Sequence, residues 1–317
     1  MPWDERIGRR LKLRDLYVLK TVVQLGSMGK ATSELAVSQP AVSKAITDLE
    51  RVLGVRLLDR SRQGVEPTQY GSALLKWTAV VFDGLKQGVE EIDFLADPTV
   101  GEVRIGTSEG MPPGFISTVI DRVLRQHPRF TFKVIQAATD DLQYRDLRDR
   151  NVDLTFGRLT MPVTDKDIKV EILFQDPFLL VAGLNSKWLK RRRIELAELI
   201  DEPWCVVDAV AKAFRAKGLE MPHCTIITNS IQLSFAMAAA GRVLSVATAS
   251  RLRLGGKRLG LAPLPVDLAL EGLPTGIVTL KNRSIGPAAQ LFIECARTVA
   301  KSLSLAKVGV TSSGKRY

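Results

Sequence analysis

The sequence predicts an α/β protein in three parts: a small helical unit tipped by a β-hairpin, a long linker helix, and a large two-lobed α/β domain. Three observations carry this. Residues 13–53 contain three short apolar-striped segments separated by a glycine or a tight turn. Residues 69–95 lack proline and repeat apolar residues at steps near 3.5. From 102 onward, short apolar runs alternate with helical patterns, as they do in domains built on parallel sheets with helices on both faces. The boundaries fall at 1–68, 69–97 and 98–305, with a Ser-, Gly- and Lys-rich tail over 306–317 expected to be disordered.

In the first part, Leu16, Leu19, Val22 and Val23 recur at helical spacing and Gly26 ends the run. Ser27 caps a second helix over 28–36, which buries Ala31 and Leu35. After a turn at Val37-Ser38, Ser38 caps a third helix with Pro40 in its first turn, and Gly54 stops it. Val42, Ile46, Leu49 and Leu53 form the apolar back of this helix. Its front carries Ser38, Gln39, Pro40, Ser43, Lys44 and Thr47. Two short helices joined by a tight turn, the second with small polar residues in front, make a helix-turn-helix suited to a DNA major groove. The stretch VRLLDRSRQGVEPT then reads as a β-hairpin with Arg60 and Arg62 at its tip, placed to meet phosphates. In the linker, Leu74, Val81, Leu85, Val89 and Ile92 form a dimerising seam, weakened by Gly84 and Gly88, and Asp97-Pro98 closes it.

The third part reads as strands at 102–107, 131–136 and 152–157 with helices at 113–126 and 140–150. A second set follows, with strands at 170–174, 178–183, 204–207, 225–228 and 243–247 and helices at 194–200, 211–217 and 231–240. A strand at 276–280 and a helix at 287–303 close the fold. Two such lobes leave a cleft at strand C-terminal ends, where Thr107, Ser108 and Glu109 follow the first strand and offer an anion or polyol site.

Composition narrows the function. With 45% apolar and 25% charged residues the 317-residue chain is an ordinary folded protein, and its net charge of +11 favours a polyanionic partner. Cys205, Cys224 and Cys295 form no close pair, which speaks against a disulfide framework or a zinc site and for a reducing compartment. His127 and His223 are too few for a multi-histidine metal centre, and His127 fits a helix end. The start MPWDERIGRRLKLR lacks the apolar core of a signal peptide, and no span is apolar enough for a membrane. There is no Gly-x-Gly-x-x-Gly after the first strand and no Walker loop, so no catalytic residues, metal or cofactor are expected. The run Lys190 to Arg193 is basic but lies before a helix of the third part, where a solvated turn is expected.

Gly26-Ser27, Ala31, Leu35, the run SQPAVSKAITDLERVLGVRLLDR from Ser38 to Arg60, Thr68 and Gly71 resemble the LysR-type transcriptional regulators over residues 13–75. Departures are few: Leu58 replaces the usual Phe, and Gly29 and Thr32 replace commoner residues. The resemblance implies a winged helix-turn-helix, a linker helix and an effector domain similar to periplasmic solute-binding proteins. Stretches such as RIGRRLKLRDL, DRSRQGVEPTQYG and GIVTLKNRS look most like the subgroup regulating uptake and breakdown of sugars or aromatic acids.

The same resemblance implies that Arg158, Asp208, Thr228, Asn229 and Ser230 join Thr107, Ser108 and Glu109 around the effector, although the segment after Val207 is shorter than usual, since Asp208-Ala209 leads almost directly into the helix at 211–217. Glu109 would repel a carboxylate unless Arg158 neutralised it, which leaves a sugar-like effector, an organic acid and a structural ion pair open. The expected protein is a cytoplasmic homodimer or homotetramer that binds operator DNA, a small-molecule effector and RNA polymerase, and controls a catabolic or uptake operon. The alternative is an effector-independent DNA-binding or architectural protein whose α/β domain only oligomerises.

Overall fold

Leu16, Leu19 and Val22 on α1 (Leu13–Leu25) meet Ala31 on α2 (Met28–Leu35) and Val42, Ile46 and Leu49 on α3 (Gln39–Leu53) in one buried cluster. Gly26 and Gly54 end α1 and α3 in the left-handed region, at φ 61° and 73°. The Ser27 hydroxyl accepts from the Lys30 N–H at 3.3 Å and starts α2. Ser38 holds the corresponding position before α3 with extended backbone, but its side chain makes no capping bond, contrary to the expectation above. Strands β1 (Leu58–Ser61) and β2 (Gly64–Pro67) pair antiparallel, with Arg60 opposite Val65.

Helix α4 (Gln69–Ala96) carries the chain across the division between its two compact units, Met1–Gly88 and Val89–Tyr317. A computed structural model describes residues 10–61, 64–108, 111–136, 140–159, 165–206 and 208–305. Arg62, Glu109 and the tail over 306–317, all singled out above, lie outside them. Of the expected seam, Leu74 packs into the core of the first unit, while Val81, Leu85, Val89 and Ile92 stay exposed.

The described residues of the second unit form two larger sheets and a two-stranded one. The first runs β4 (Arg129–Gln136), β3 (Val100–Thr107), β5 (Leu154–Arg158), β12 (Leu273–Leu280), β6 (Ile168–Asp176). Strand β3 is parallel to β4 and β5, whereas β12 is antiparallel to β5 and β6. The second runs β10 (Ser245–Thr248), β7 (Phe178–Gly183), β11 (Leu261–Pro263), all antiparallel. Parallel strands β8 (Trp204–Val206) and β9 (Cys224–Ile227) join it through a bridge between Trp204 and Leu244. The sheets are therefore mixed, which corrects the mostly parallel reading: strands that return from the other lobe pair antiparallel, and no local pattern announces that.

Helices α5 (Ser117–Gln126) and α10 (Pro287–Leu305) pack with the first sheet through Val119, Val123, Phe292 and Ala296. The expected helix at 113–126 loses its first turn to a π-type turn, Pro112–Ile116, in which Gly114 adopts φ 140° and ψ −98°. Gly114 cannot continue a helix at that angle, and its carbonyl accepts instead from Ser117 and Thr118 hydroxyls at 3.1 and 2.7 Å. Helix α6 (Asp140–Arg148) lies between β4 and β5 in the chain. Around the second sheet, α7 (Asp208–Ala216) and α8 (Ile231–Ala239) agree with expectation, the helix at 194–200 is only the 3-10 turn Leu196–Leu199, and α9 (Ala249–Leu259) was not foreseen.

Only Pro177 separates β6 of the first sheet from β7 of the second, and the returning strand pairs Leu273 with Asp176, so the two crossings lie side by side. Asp176 is buried there, and its carboxylate accepts from the Ser250 N–H at 2.9 Å and the Ser250 hydroxyl at 2.6 Å. This ties the start of α9 to the crossing between the two sheets.

Candidate functional site

Helix α3 is amphipathic because buried Val42, Ala45, Ile46 and Leu49 hold one side against α1 and α2. The other side is free: Ser38, Gln39, Pro40, Lys44 and Thr47 are exposed and Ser43 is half-buried. Spaced at i, i+1, i+4, i+5 and i+8, Gln39 to Thr47 form one stripe. The Thr47 hydroxyl donates to the Ser43 carbonyl at 2.9 Å, so it meets a partner as an acceptor. The stripe offers a donor and acceptor pair in Gln39, a cation in Lys44 and little bulk at Ser43, the composition that lets a helix approach base edges.

The hairpin sits beside this helix on fixed supports. Arg60 is exposed on β1. The Glu50 carboxylate accepts from the Leu57 N–H at 2.8 Å and the Leu58 N–H at 3.4 Å. On β2, the Val65 N–H donates to the Gly26 carbonyl at 3.0 Å. The Thr68 hydroxyl donates to the Arg56 carbonyl at 2.8 Å and accepts from the Gly71 N–H at 3.1 Å, so it caps α4 and closes the hairpin together. Glu50, Thr68 and Gly71 stand in the sequence motif quoted above, but only the folded chain gives them these tasks.

In the second unit, Thr107 and Arg158 end the adjacent parallel strands β3 and β5. Thr107 is fully buried and its hydroxyl donates to the Phe156 carbonyl at 2.9 Å, so it locks the two strands and is engaged inside the sheet. Ser108, the next residue, is half-buried. The Arg158 guanidinium lies 5.9 Å from the centre of the Phe178 ring, the first residue of β7, and so reaches from the first sheet to the second. Asp208 opens α7. After β9, the Thr228 hydroxyl accepts from the Ser230 N–H at 3.0 Å and Ser230 caps α8 by accepting from the Leu233 N–H at 3.4 Å, while Asn229 is exposed.

Arg251 was missed with its helix. It is buried on the first turn of α9, 5.5 Å from the centre of the Phe235 ring and against Gly114 of the other lobe, and burial pulls its pKa below the usual arginine range. Gly255 and Gly256 and the scarcity of apolar residues hid α9 from a periodicity reading. The basic run is partly neutralised: Arg191 pairs with Glu198 at 2.8 Å and Arg193 with Glu195 at 2.9 Å, as suits a solvated turn.

Comparison with known proteins matches two stretches of the chain. The profile described as "Bacterial regulatory helix-turn-helix protein, lysR family" matches residues 13–72, and "LysR substrate binding domain" matches residues 96–301. The chain is 28% identical over 299 residues to the HTH-type transcriptional regulator GbpR of Azospirillum brasilense, covering 92% of this chain and 87% of that one. It is 26% identical over 293 residues to TdcA of Escherichia coli, with 90% and 92% covered. Among solved structures, full-length CbnR bound to its target DNA superposes with a TM-score of 0.51 at 23% identity, covering 92% of this chain and all of that one. Full-length OxyR of Pseudomonas aeruginosa gives 0.63 at 20% identity, with 90% and 95% covered. These structures share the fold. The two profiles together span most of the sequence, and the chain belongs to the LysR family of DNA-binding bacterial transcriptional regulators.

Proposed function

We propose that this regulator reads operator DNA with Gln39, Pro40, Ser43, Lys44 and Thr47 of α3, grips phosphates with Ser38, Arg60 and Arg62, and answers to a small organic effector bound between its lobes. The observation that carries the reading is the exposed polar stripe on a helix whose opposite side is wholly committed to the core. The exposed seam Val81, Leu85, Val89 and Ile92 supports a homodimer or homotetramer paired through α4. A sugar, sugar acid or aromatic acid is the effector class, and transcription of a catabolic or uptake operon through RNA polymerase is the output.

Ser108, Arg158 and Asn229 are the proposed effector contacts, with Thr107, Thr228 and Ser230 framing them. Lobe rotation about the paired crossings at Asp176 and Leu273 would convert binding into a change in the DNA-binding pairs. An effector acts only through its differential affinity for the two arrangements, typically ~1–3 kcal/mol. The test is a melting screen of the full-length chain against sugars, sugar acids and aromatic acids. A true effector at 100 times its dissociation constant adds about 2.7 kcal/mol. Ser108→Phe should abolish that gain and leave DNA affinity intact. A screen in which no compound stabilises the chain, or a well-folded Ser108→Phe that responds fully, would leave the domain as an oligomeriser or move the site.

A further inference from the structure

We infer that Glu50 is a positioning residue for DNA binding, which braces the hairpin against the recognition helix and so fixes where Arg60 points. Glu50 lies on the last turn of α3, and one carboxylate oxygen takes the N–H groups of both Leu57 and Leu58, seven and eight residues away. Leu57 and Leu58 are buried at the root of the hairpin, and Arg60 follows two residues later. The other hydrogen-bonded ties run elsewhere: Val65 to the end of α1, and Thr68 to the start of α4. Of these three ties among the described residues, the one from Glu50 links the hairpin to the helix that carries the reading stripe.

The lever is short and sensitive. At about 3.3 Å per residue, the Arg60 backbone sits roughly 7 Å beyond Leu58, and a swing of about 10° moves it by about 1.2 Å. That exceeds the ~0.5 Å within which a functional group is normally held. A carboxylate binding two successive N–H groups resists such a swing, because both bonds lengthen together. On the far strand, Gly64 lets the hairpin lie close against the end of α1, since a Cβ there would lie 2.8 Å from the Gly26 carbonyl oxygen.

The test uses the full-length chain and a long random-sequence duplex, and rests on Arg60 as a phosphate contact. Glu50→Met keeps the length of the side chain and removes the acceptor; Glu50→Gln keeps an acceptor oxygen. Glu50→Met should weaken binding as Arg60→Ala does and lower the salt slope by about 0.9, the equivalent of one phosphate contact. The double variant should be little worse than either single one. Glu50→Gln should restore the slope. Hydrogen exchange of the unsubstituted chain supplies a measurement that needs no variant to fold: the Leu57 and Leu58 amides should be as protected as those within α3. Rapid exchange at both amides, or a folded Glu50→Met with native affinity and slope, would overturn the brace. If Arg60→Ala alone changes nothing, the Arg60 assignment fails and the exchange result still judges Glu50.

Discussion

Gly71→Val is expected to destabilise the N-terminal unit strongly while leaving the stability of the effector domain unchanged. A Cβ at Gly71 would stand 2.1 Å from the Leu57 carbonyl oxygen and 3.3 Å from Pro67 Cβ, with backbone on one side and a ring on the other, so nothing flexible gives way. The first turn of α4 would have to lift off the hairpin. That breaks the bonds from the Thr68 hydroxyl to Arg56 and from the Gly71 N–H to Thr68. Overpacking of this kind costs up to about 3 kcal/mol even where neighbours relax. For a unit of this size that lowers its melting temperature by about 12–24 °C. Differential scanning calorimetry of the full-length chain should show one transition displaced and one retained. A single unchanged profile would mean that α4 does not press on Leu57.

The second large effect is expected at Asp153. Its carboxylate accepts from the Arg104 N–H at 2.8 Å and from Arg104 Nη2 at 2.5 Å, and also from Arg283 Nη2 at 3.0 Å. The Asp153, Arg104 and Arg283 side chains are only 14%, 11% and 2% exposed, so water does not replace the lost charge. Arg283 also donates to the Val152 carbonyl at 2.5 Å, and the network ties β3, the start of β5 and the turn after β12 into one body. Removing one partner of a buried ion pair costs about 3–5 kcal/mol because the other charge stays desolvated. Asp153→Ala should therefore lower the urea midpoint of the effector domain strongly with an unchanged slope, and Asp153→Asn, which keeps an acceptor, should lose less. Equal midpoints for Asp153→Ala and the unsubstituted chain would show that solvent already screens the network.

The N-terminal unit was legible because its signals are local. Gly26, Ser27 and Gly54 act within a turn of themselves, and the stripe from Val42 to Leu49 has one period and one face. What was hidden depends on partners distant in sequence. Thr107 looked like a cleft hydroxyl because it follows a strand, and the fold spends that hydroxyl on Phe156, 49 residues away. Asp176 carries no motif, and its role exists only because Ser250 lies 74 residues further on. The antiparallel placement of β12 follows from the chain returning from the second sheet to the first, which no strand pattern encodes. Helix α9 is held by Asp176, Gly114 and the bond from Arg253 to the Leu303 carbonyl, so tertiary contacts overrule its two glycines.

The most direct test of the DNA-reading face is selection of bound sequences from a randomised duplex pool, followed by footprinting of the winning site. The comparison is between the unsubstituted chain, Gln39→Ala and Ser43→Leu. The unsubstituted chain should enrich one two-fold-related site. The variants should lose that preference, by about 1–3 kcal/mol for each bidentate base contact removed, while keeping the salt-dependent affinity for all DNA. Native affinity and native selectivity in both folded variants would contradict the assignment of α3 as the helix that reads the sequence.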